Sequence, residues 1–360
     1  FLQSSSIDPF LSGVQHTVER ERESMAPEVL RYDFAAGSPA VRIEQDQGWA
    51  QKEAALAEAC TGLTQVGPAF GLIPWASSQV VCRLLALGLL GPLPSEDATV
   101  VEVGAGLGLP GLLAAAQRKR HRSCEAGSNE SDGGSRSPGA TGPPLQPAAP
   151  ARFLLTDYHP QVLEALRKNV ALNGFDAADV EVAALDFRAP GDCKALVGRG
   201  PVDWVIATDV AYDDRLLHDM LHTFALLCRL GREPQSSPAD ATGAGTPQND
   251  AAISDRQNDD VPAEAPPRRP PCRILLASES RARDAGVRLL REARQAGFKV
   301  EGPISLPSEA FRWGVAREKK PEDADGRPAA MELERVRPEV YGVVVLSLAE
   351  QHLPLKVGLT

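Results

Sequence analysis

Three apolar runs of this 360-residue sequence end in residues that could do chemistry. Asp157 closes RFLLTD, Asp186 and Phe187 close VEVAALDF, and Asp209 and Tyr212 follow VDWVIAT. Short apolar runs are typical of buried strands, and open α/β sheets bind ligands at the carboxyl ends of their strands. A carboxylate there can accept hydrogen bonds from hydroxyl or amine groups, and an aromatic ring can stack on a planar group. We therefore expect these side chains to meet around one ligand.

A glycine-rich turn precedes these runs, in the segment TVVEVGAGLGLPG of residues 99–111. Glycine falls at positions 104, 106, 108 and 111, after a β-branched run and before the helical pattern LPGLLAAA. Glycines let the backbone approach a ligand closely, and the amino terminus of the helix presents unpaired N–H groups. The segment predicts a nucleotide-type site, and the alternative is a turn that merely packs a helix close to its strand.

Asp157 has the position of a ribose ligand once an insertion is set aside. It stands 53 positions after Gly104, whereas the acidic residue that binds a ribose usually lies about 20 residues past the glycines. Residues 123–150 are mostly Ser, Gly, Pro and Ala, which predicts a disordered insertion. If residues 117–150 bulge out, the spacing falls to 19. The alternative role of Asp157 is to cap the helix that Pro160 begins.

Asp186, Phe187 and Asp209 each have a second interpretation. Asp186 could accept from an adenine amine while Phe187 stacks on the base, or the pair could be a turn aspartate beside a core aromatic. Asp209 could act on a substrate or could cap the next helix, a role that we assign to Asp213 instead. The neighbouring candidates at the same sheet edge favour chemistry at Asp209.

Strand and helix patterns alternate through the rest of the chain, which predicts the α/β class. Seven apolar runs predict one doubly wound sheet, closed by an antiparallel last strand after a polar loop over 306–340. VLRYDF and AVRIEQ predict an amino-terminal β-hairpin. Ser77 or Ser78 is a candidate cap for a helix that runs to about Leu90.

One domain with two insertions accounts for the whole chain. We expect an amino-terminal arm over 1–28 and a domain over 29–360, interrupted by disordered insertions at 123–150 and 231–271. The cations of residues 118–122 are predicted to end the helix after the glycine turn, because the helix dipole favours positive charge there. We prefer this interpretation to a nuclear localisation signal.

Charge and cysteine usage limit the partners. A net charge of −10 argues against binding nucleic acid through its phosphates and suits a basic or neutral substrate. The six cysteines form no CxxC pair and no cluster with metal-ligand spacing, so we expect free thiols, no metal and a cytoplasmic location, with the nucleus as the alternative. The most apolar stretch, VVCRLLALGLLGPL, is too short to span a bilayer, so no membrane segment is predicted.

Taken together, EVGAGLGLPG, Asp157, Leu-Asp-Phe at 185–187 and Asp-x-x-Tyr at 209–212 resemble class I S-adenosylmethionine-dependent methyltransferases. More narrowly, the chain resembles the seven-strand protein-lysine methyltransferases of the methyltransferase-like 21 group, or family 16. The hairpin and GLIPW match that group's habit of placing a tryptophan, here Trp75, before the first core helix. The resemblance runs from about Val29 to Ala349 and skips both insertions.

The resemblance implies the fold of the Rossmann-like methyltransferases, S-adenosyl-L-methionine as the cofactor, and a set of site residues. The implied cofactor-binding residues are Trp75, Glu102, Gly104, Ala105, Gly106, Gly108, Asp157, Asp186, Phe187 and Thr208. Asp209 and Tyr212 would face the transferred methyl and the substrate nitrogen. The chain departs from the family where Phe187 replaces a common tryptophan, and where Ala-Thr-Asp at 207–209 replaces Gly-Ala-Asp.

The implied function is methylation of a lysine side chain in a protein substrate by a monomeric enzyme that needs no metal. Four other classes compete with it. A nucleic-acid or nucleobase methyltransferase usually carries Asn/Asp-Pro-Pro-Tyr where this chain has DVAY, and a nicotinamide-dependent dehydrogenase would have glycine in place of Leu109. A small-molecule N-methyltransferase and a cofactor-binding scaffold without activity are the remaining alternatives.

Overall fold

The computed structural model describes ten segments of the chain. They are residues 27–45, 71–91, 98–128, 152–197, 201–211, 215–229, 270–279, 285–318, 331–335 and 341–348. These segments include every candidate site residue except Tyr212.

A seven-stranded sheet forms the centre of the molecule, which confirms the predicted fold class. Its strands are β3 (Thr99–Val103), β4 (Arg152–Asp157), β5 (Val180–Ala184), β6 (Val202–Thr208), β7 (Arg273–Glu279), β8 (Phe298–Glu301) and β11 (Tyr341–Leu348). The order is β5-β4-β3-β6-β7-β11-β8, and β11 pairs antiparallel with both of its neighbours. All five residues of β3 are buried, as expected of a central parallel strand covered on both faces.

Helices cover both faces of this sheet. They are α1 (Ala76–Ala86), α2 (Leu109–Ser128), α3 (Pro160–Leu172), α4 (Pro190–Val197), α5 (Leu217–Arg229) and α6 (Ala285–Gln295). Buried side chains of α1, α2 and α3 join one apolar core, and those of α5 and α6 join a second on the other face. Within the described segments, no helix is both long enough and apolar enough to cross a membrane.

Two predicted helix boundaries are wrong. Helix α1 begins at Ala76 and ends at Ala86, with Trp75 rather than Ser77 or Ser78 at its N-cap. The Ser78 hydroxyl instead donates to the Trp75 carbonyl oxygen at 2.6 Å. Helix α2 continues to Ser128, so the cations of residues 118–122 lie inside it, and six residues of the predicted first insertion are helical. Residues 129–150, most of the second insertion, and residues 1–26 of the predicted arm lie outside the described residues.

A second, four-stranded sheet replaces the predicted polar loop over 306–340. The hairpin strands β1 (Glu28–Asp33) and β2 (Val41–Gln45) are joined by β9 (Arg312–Arg317) and β10 (Met331–Arg335) in the order β10-β9-β1-β2. Trp313 and Val315 are buried on one face of β9, and the Trp313 ring lies 6.3 Å from that of Phe34. The alternating apolar residues of β9 therefore form a half-buried strand inside a segment that is polar on average.

Asparagine side chains of α3 connect this second sheet to the site. Asn173 and Asn169 accept the backbone N–H groups of Arg42 and Glu44 at 2.9 Å and 2.8 Å. The buried Asn169 also donates to the Leu107 carbonyl oxygen in the glycine turn, at 3.2 Å. The hairpin thus contributes to holding the turn in place.

Gly108 is the turn position where a side chain should cost most. Its φ is +82°, and an added Cβ would lie 2.4 Å from Leu166 Cδ1 and 3.1 Å from Leu155 Cδ1. Gly174 has a similar φ of +71° but no neighbour within 4 Å. We expect Gly108→Ala to lower the free energy of unfolding by about 2–5 kcal/mol and Gly174→Ala by only about 1–2 kcal/mol. Urea unfolding of the two variants measures the difference, and equal losses would contradict this packing.

Candidate active site

The glycine turn lies at the carboxyl end of β3, between two other segments. An added Cβ at Gly106, where φ is +54°, would lie 3.1 Å from the Gly71 carbonyl oxygen, and one at Gly104 would lie 2.6 Å from Val210 Cγ1. Ala105 is buried and donates its N–H to the Thr156 carbonyl oxygen at 2.8 Å. The turn therefore contacts the segment before α1, the end of β4 and the residue after Asp209.

Asp157 lies beside this turn and is not a helix cap. Its Oδ2 accepts the N–H of Gly106 at 3.2 Å and its Oδ1 accepts the N–H of His159 at 3.1 Å. His159 caps α3, since its Nδ1 accepts the Gln161 N–H. The alternative of capping by Asp157 is thus wrong. Burial raises the pKa of the Asp157 carboxyl, while its backbone hydrogen bonds act in the opposite direction.

The carboxylate of Asp186 is held by a nearby arginine. Both carboxylate oxygens accept from the Arg188 guanidinium, the shortest contact being 2.7 Å, and the Arg188 N–H adds a bond of 2.9 Å. The side-chain hydrogen bond lowers the pKa of Asp186. Phe187 packs against the core cluster that includes α5. This arrangement matches the second interpretation, a turn aspartate beside a core aromatic. Contact of Asp186 and Phe187 with an adenine stays a prediction.

Tyr158 was missed at the sequence level. It is 43% exposed, directly follows Asp157, and has the Arg188 guanidinium 5.7 Å from its ring centroid. Its ring and that of His159 are edge to face, with centroids 6.0 Å apart. Its place immediately after the carboxyl end of β4 was the available signal, because that edge is where ligands bind.

Asp209 stands at the carboxyl end of β6 in an unusual conformation. Its φ of +52° is the only positive value at a non-glycine position in the described part of the chain. Its N–H donates to the Ala277 carbonyl oxygen at 2.9 Å, and its Oδ2 accepts the Ser77 hydroxyl at 2.5 Å. Left-handed backbone at such a residue costs free energy and is concentrated at functional sites. The contact with Ser77 brings the amino terminus of α1 to the carboxylate.

The remaining predicted residues lie near Asp209, in the core, or outside the described residues. Trp75 is half-buried at the N-cap of α1, and Thr208 is half-buried at the last position of β6, so both lie near Asp209 in the fold. Gly108 faces Leu155 and Leu166 in the core, which explains the glycine by packing. Tyr212 lies outside the described residues, and its role stays a prediction.

Glu102 is a buried carboxyl beneath the turn. It is 1% exposed, and its Oε2 accepts the N–H of Gly111 at 2.9 Å, in the first turn of α2. Its Oε1 is buried and has no hydrogen-bond partner among the described residues. Burial raises the pKa of this carboxyl to about 8, with a further contribution from Asp157. The structure supports a role in holding α2 against β3, and contact of Glu102 with a cofactor stays a prediction.

The raised pKa of Glu102 predicts that stability falls with rising pH. Because the folded state keeps the proton up to about pH 8, its contribution is complete below about pH 4.5 and is lost as pH rises through about 8. Between these values the loss approaches about 1.4 kcal/mol per pH unit. Glu102→Gln, which resembles the protonated form, should flatten this slope. Urea unfolding of both proteins across this range measures it, and parallel slopes would contradict the assignment.

The arrangement fits an adenosyl cofactor with a positive sulfonium. Each carboxylate oxygen has more than one acceptor site, so Asp157 can hold Gly106 and accept ribose hydroxyls at the same time. The close approach of Gly106 to Gly71 and of Gly104 to Val210 leaves little room for a side chain at these two positions. The carboxylate of Asp209 would complement a cationic group at the same edge. In the described residues, Asp157, Asp209 and the turn are thus brought together.

Solved structures with related folds show low similarity. A SAM-dependent methyltransferase from Aquifex aeolicus has a TM-score of 0.41 at 9% identity, over 79% of this chain and all of that chain. The precorrin-6y C5,15-methyltransferase from Geobacter metallireducens has a TM-score of 0.34 at 10% identity, over 76% and 85% of the two chains. The fold follows from the order and direction of the strands in the seven-stranded sheet.

Sequence comparison finds a similar family over part of the chain. Residues 139–233 match the model of a family described as lysine methyltransferase. Mouse protein-lysine N-methyltransferase EEF2KMT is 28% identical over 152 residues, which are 39% of this chain and 35% of the mouse protein. The chain thus matches about a third of the length of this curated relative. These matches confirm the resemblance to family 16. Residues 139–233, the segment that carries Asp157, Asp186 and Asp209, are thus similar to the lysine methyltransferase family.

Proposed function

We propose that this chain transfers a methyl group from S-adenosylmethionine to a lysine side chain of a protein substrate. The observation that carries the proposal is Asp209, which has left-handed backbone and whose carboxylate accepts a hydrogen bond from Ser77. The next residue, Val210, lies against Gly104 of the glycine turn. A carboxylate is therefore fixed beside the predicted cofactor turn, at the edge of the sheet where substrates bind.

The chemistry needs little machinery from the protein. Bound S-adenosylmethionine supplies an activated methyl on a sulfonium, so the protein has mainly to align a nitrogen lone pair with that methyl. A lysine amine must first lose its proton, and both desolvation and a nearby positive charge lower the pKa of an amine. Asp209 then accepts a hydrogen bond from the neutral amine and orients its lone pair. Tyr212 is proposed to pack against the amine and to exclude water.

Asp157 and the glycine turn are proposed to hold the cofactor. Asp157 accepts hydrogen bonds from the ribose hydroxyls while the Gly106 N–H fixes the direction of its carboxylate. Asp186 and Phe187 are proposed to contact the adenine, which requires Arg188 to release one oxygen of Asp186. Tyr158, exposed next to Asp157, adds an aromatic surface on the same side.

A protein substrate is supported by the name of the mouse relative, a protein-lysine N-methyltransferase, and by charge. A net charge of −10 favours approach of a lysine-rich surface and disfavours nucleic acid. We further propose that the enzyme acts as a monomer in the cytoplasm. Free thiols at five described cysteines support a reducing compartment.

The test is methyl transfer to proteins. The purified chain is incubated with methyl-labelled S-adenosylmethionine and a lysate of the source organism, and labelled proteins are digested and sequenced by mass spectrometry. We expect label on lysine side chains of one or a few proteins, absent when Asp209→Asn replaces the wild type. Label confined to the small-molecule fraction would contradict a protein substrate and support a small-molecule N-methyltransferase. No label in any fraction would support the scaffold interpretation.

A further inference from the structure

The Ser77 hydroxyl donates a hydrogen bond to the carboxylate of Asp209. Its Oγ lies 2.5 Å from Asp209 Oδ2, and the residue is 1% exposed. The two residues are 132 positions apart, so the contact is made by the fold and not by local chain geometry. Hydrogen bonds from a hydroxyl to an ionised carboxylate are stronger than those between neutral groups.

Helix α1 adds an electrostatic reason for this contact. Ser77 is the second residue of the helix, whose first turn has no acidic side chain and no side-chain cap at Trp75. The amino terminus of a helix carries partial positive charge and unpaired N–H groups. A carboxylate held there by Ser77 is stabilised in one position by both the hydroxyl and the helix.

The backbone of Asp209 sets the position from which its side chain extends. With φ at +52°, the residue departs from the conformation of β6, and its N–H is already used by the Ala277 carbonyl oxygen. The backbone therefore fixes the position of the Asp209 Cβ, and the hydrogen bond from Ser77 fixes the position of one carboxylate oxygen.

We propose that Ser77 is a positioning residue that aims the carboxylate of Asp209 at the substrate amine. This inference rests on the proposed function. Ser77 acts through Asp209 and contacts neither substrate nor cofactor. Loss of this hydroxyl removes one constraint on the carboxylate, so a smaller fraction of enzyme–substrate complexes has the amine aligned for transfer. The defect falls on the transfer step rather than on binding of S-adenosylmethionine.

Ser78 provides a matched control in the same turn. It is also buried, at 7% exposure, but its hydroxyl donates to the Trp75 carbonyl oxygen and not to Asp209. If the hydroxyl of Ser77 served only to stabilise the start of α1, Ser77→Ala and Ser78→Ala would have similar effects on activity and melting temperature. If Ser77 positions Asp209, only Ser77→Ala lowers the activity.

The experiment compares Ser77→Ala, Ser77→Thr and Ser78→Ala with the wild type. Initial rates of label transfer from S-adenosylmethionine to the protein fraction of one lysate give kcat and the KM for the cofactor, and calorimetry gives the Kd for S-adenosylhomocysteine. We expect Ser77→Ala to lower kcat about tenfold, from the loss of one charged hydrogen bond, with KM and Kd within about twofold of the wild type. Ser78→Ala should retain wild-type kcat, and Ser77→Thr, which keeps the hydroxyl, should recover most of it.

The outcomes separate the inference from the function on which it rests. Wild-type kcat in Ser77→Ala, an equal loss in Ser78→Ala, or a loss in Ser77→Ala that appears only in KM or Kd would each overturn the role of Ser77 and leave the methyltransferase proposal intact. If Ser77→Thr fails to fold, the comparison of Ser77→Ala with Ser78→Ala still tests the role of Ser77. A wild-type chain that labels no protein would overturn both.

Discussion

Replacing Asp209 with asparagine is expected to lower kcat by at least about a hundredfold, the usual scale for loss of a group that acts on a proton or orients a nucleophile. Asparagine tolerates left-handed backbone and can still accept the Ser77 hydroxyl, so the local fold should survive. What is lost is the negative charge beside the amine. Rates of methyl transfer to lysate protein measure the change, while the Kd for S-adenosylhomocysteine should stay within about threefold because Asp157 still holds the ribose.

Asp219→Asn is the matched control for this substitution. Asp219 lies in the first turn of α5, and its side chain is 43% exposed. Its Oδ1 lies 3.7 Å from Nδ1 of His218. Losing this charge should leave kcat unchanged. If Asp209→Asn retained more than about half of the wild-type kcat, or if both variants lost activity equally, the carboxylate of Asp209 would have no part in the transfer step.

Replacing Asp157 with alanine is expected to weaken binding of S-adenosylmethionine and S-adenosylhomocysteine by about 100-fold to 1000-fold. Two hydrogen bonds from ribose hydroxyls to a carboxylate are each worth about 1.5–3 kcal/mol, and part of this is offset by water that enters the site. The variant also frees the N–H groups of Gly106 and His159, which loosens the turn. Calorimetric titration with S-adenosylhomocysteine measures the loss.

Asp179→Ala controls for general loss of acidic charge. Asp179 precedes β5, pairs with Lys119 at 3.5 Å and is 40% exposed. It should bind S-adenosylhomocysteine as the wild type does, with a similar melting temperature. A normal Kd in Asp157→Ala would show that the ribose is held elsewhere. If that variant is unfolded at the titration temperature, the milder Asp157→Glu, which keeps the charge but moves it by one methylene, should still weaken binding by about tenfold or more.

Much of the sheet and one side of the site could be predicted because local pattern carried the information. Apolar runs that end in Asp157 and Asp209 place both residues at the carboxyl edge of one sheet, whatever the loops between them do. The expected proximity of Asp157 to the glycine turn is confirmed by its contact with Gly106. The predicted bulge over residues 117–150 is wrong for residues 117–128, which continue helix α2.

The parts that could not be predicted depend on contacts between distant segments. Nothing in the sequence near Ser77 indicates Asp209, because the hydrogen bond joins residues 132 positions apart. Strand β9 was not predicted because its segment is polar on average, although Trp313, Val315 and Ala316 are buried in it. Helix α2 runs past the cations because Arg118 is itself buried, at 8% exposure, and so cannot mark an exposed helix end.

The central claim is that the glycine turn, Asp157 and Asp209 form one adenosyl site. Calorimetric titration of the full chain with S-adenosylmethionine and with S-adenosylhomocysteine tests it most directly. The account predicts one site per chain for each ligand, with Kd in the range of about 1 µM to 1 mM that is usual for enzyme substrates, and weaker binding in Asp157→Ala. Absence of binding for both ligands, or equal binding by the wild type and Asp157→Ala, would contradict it.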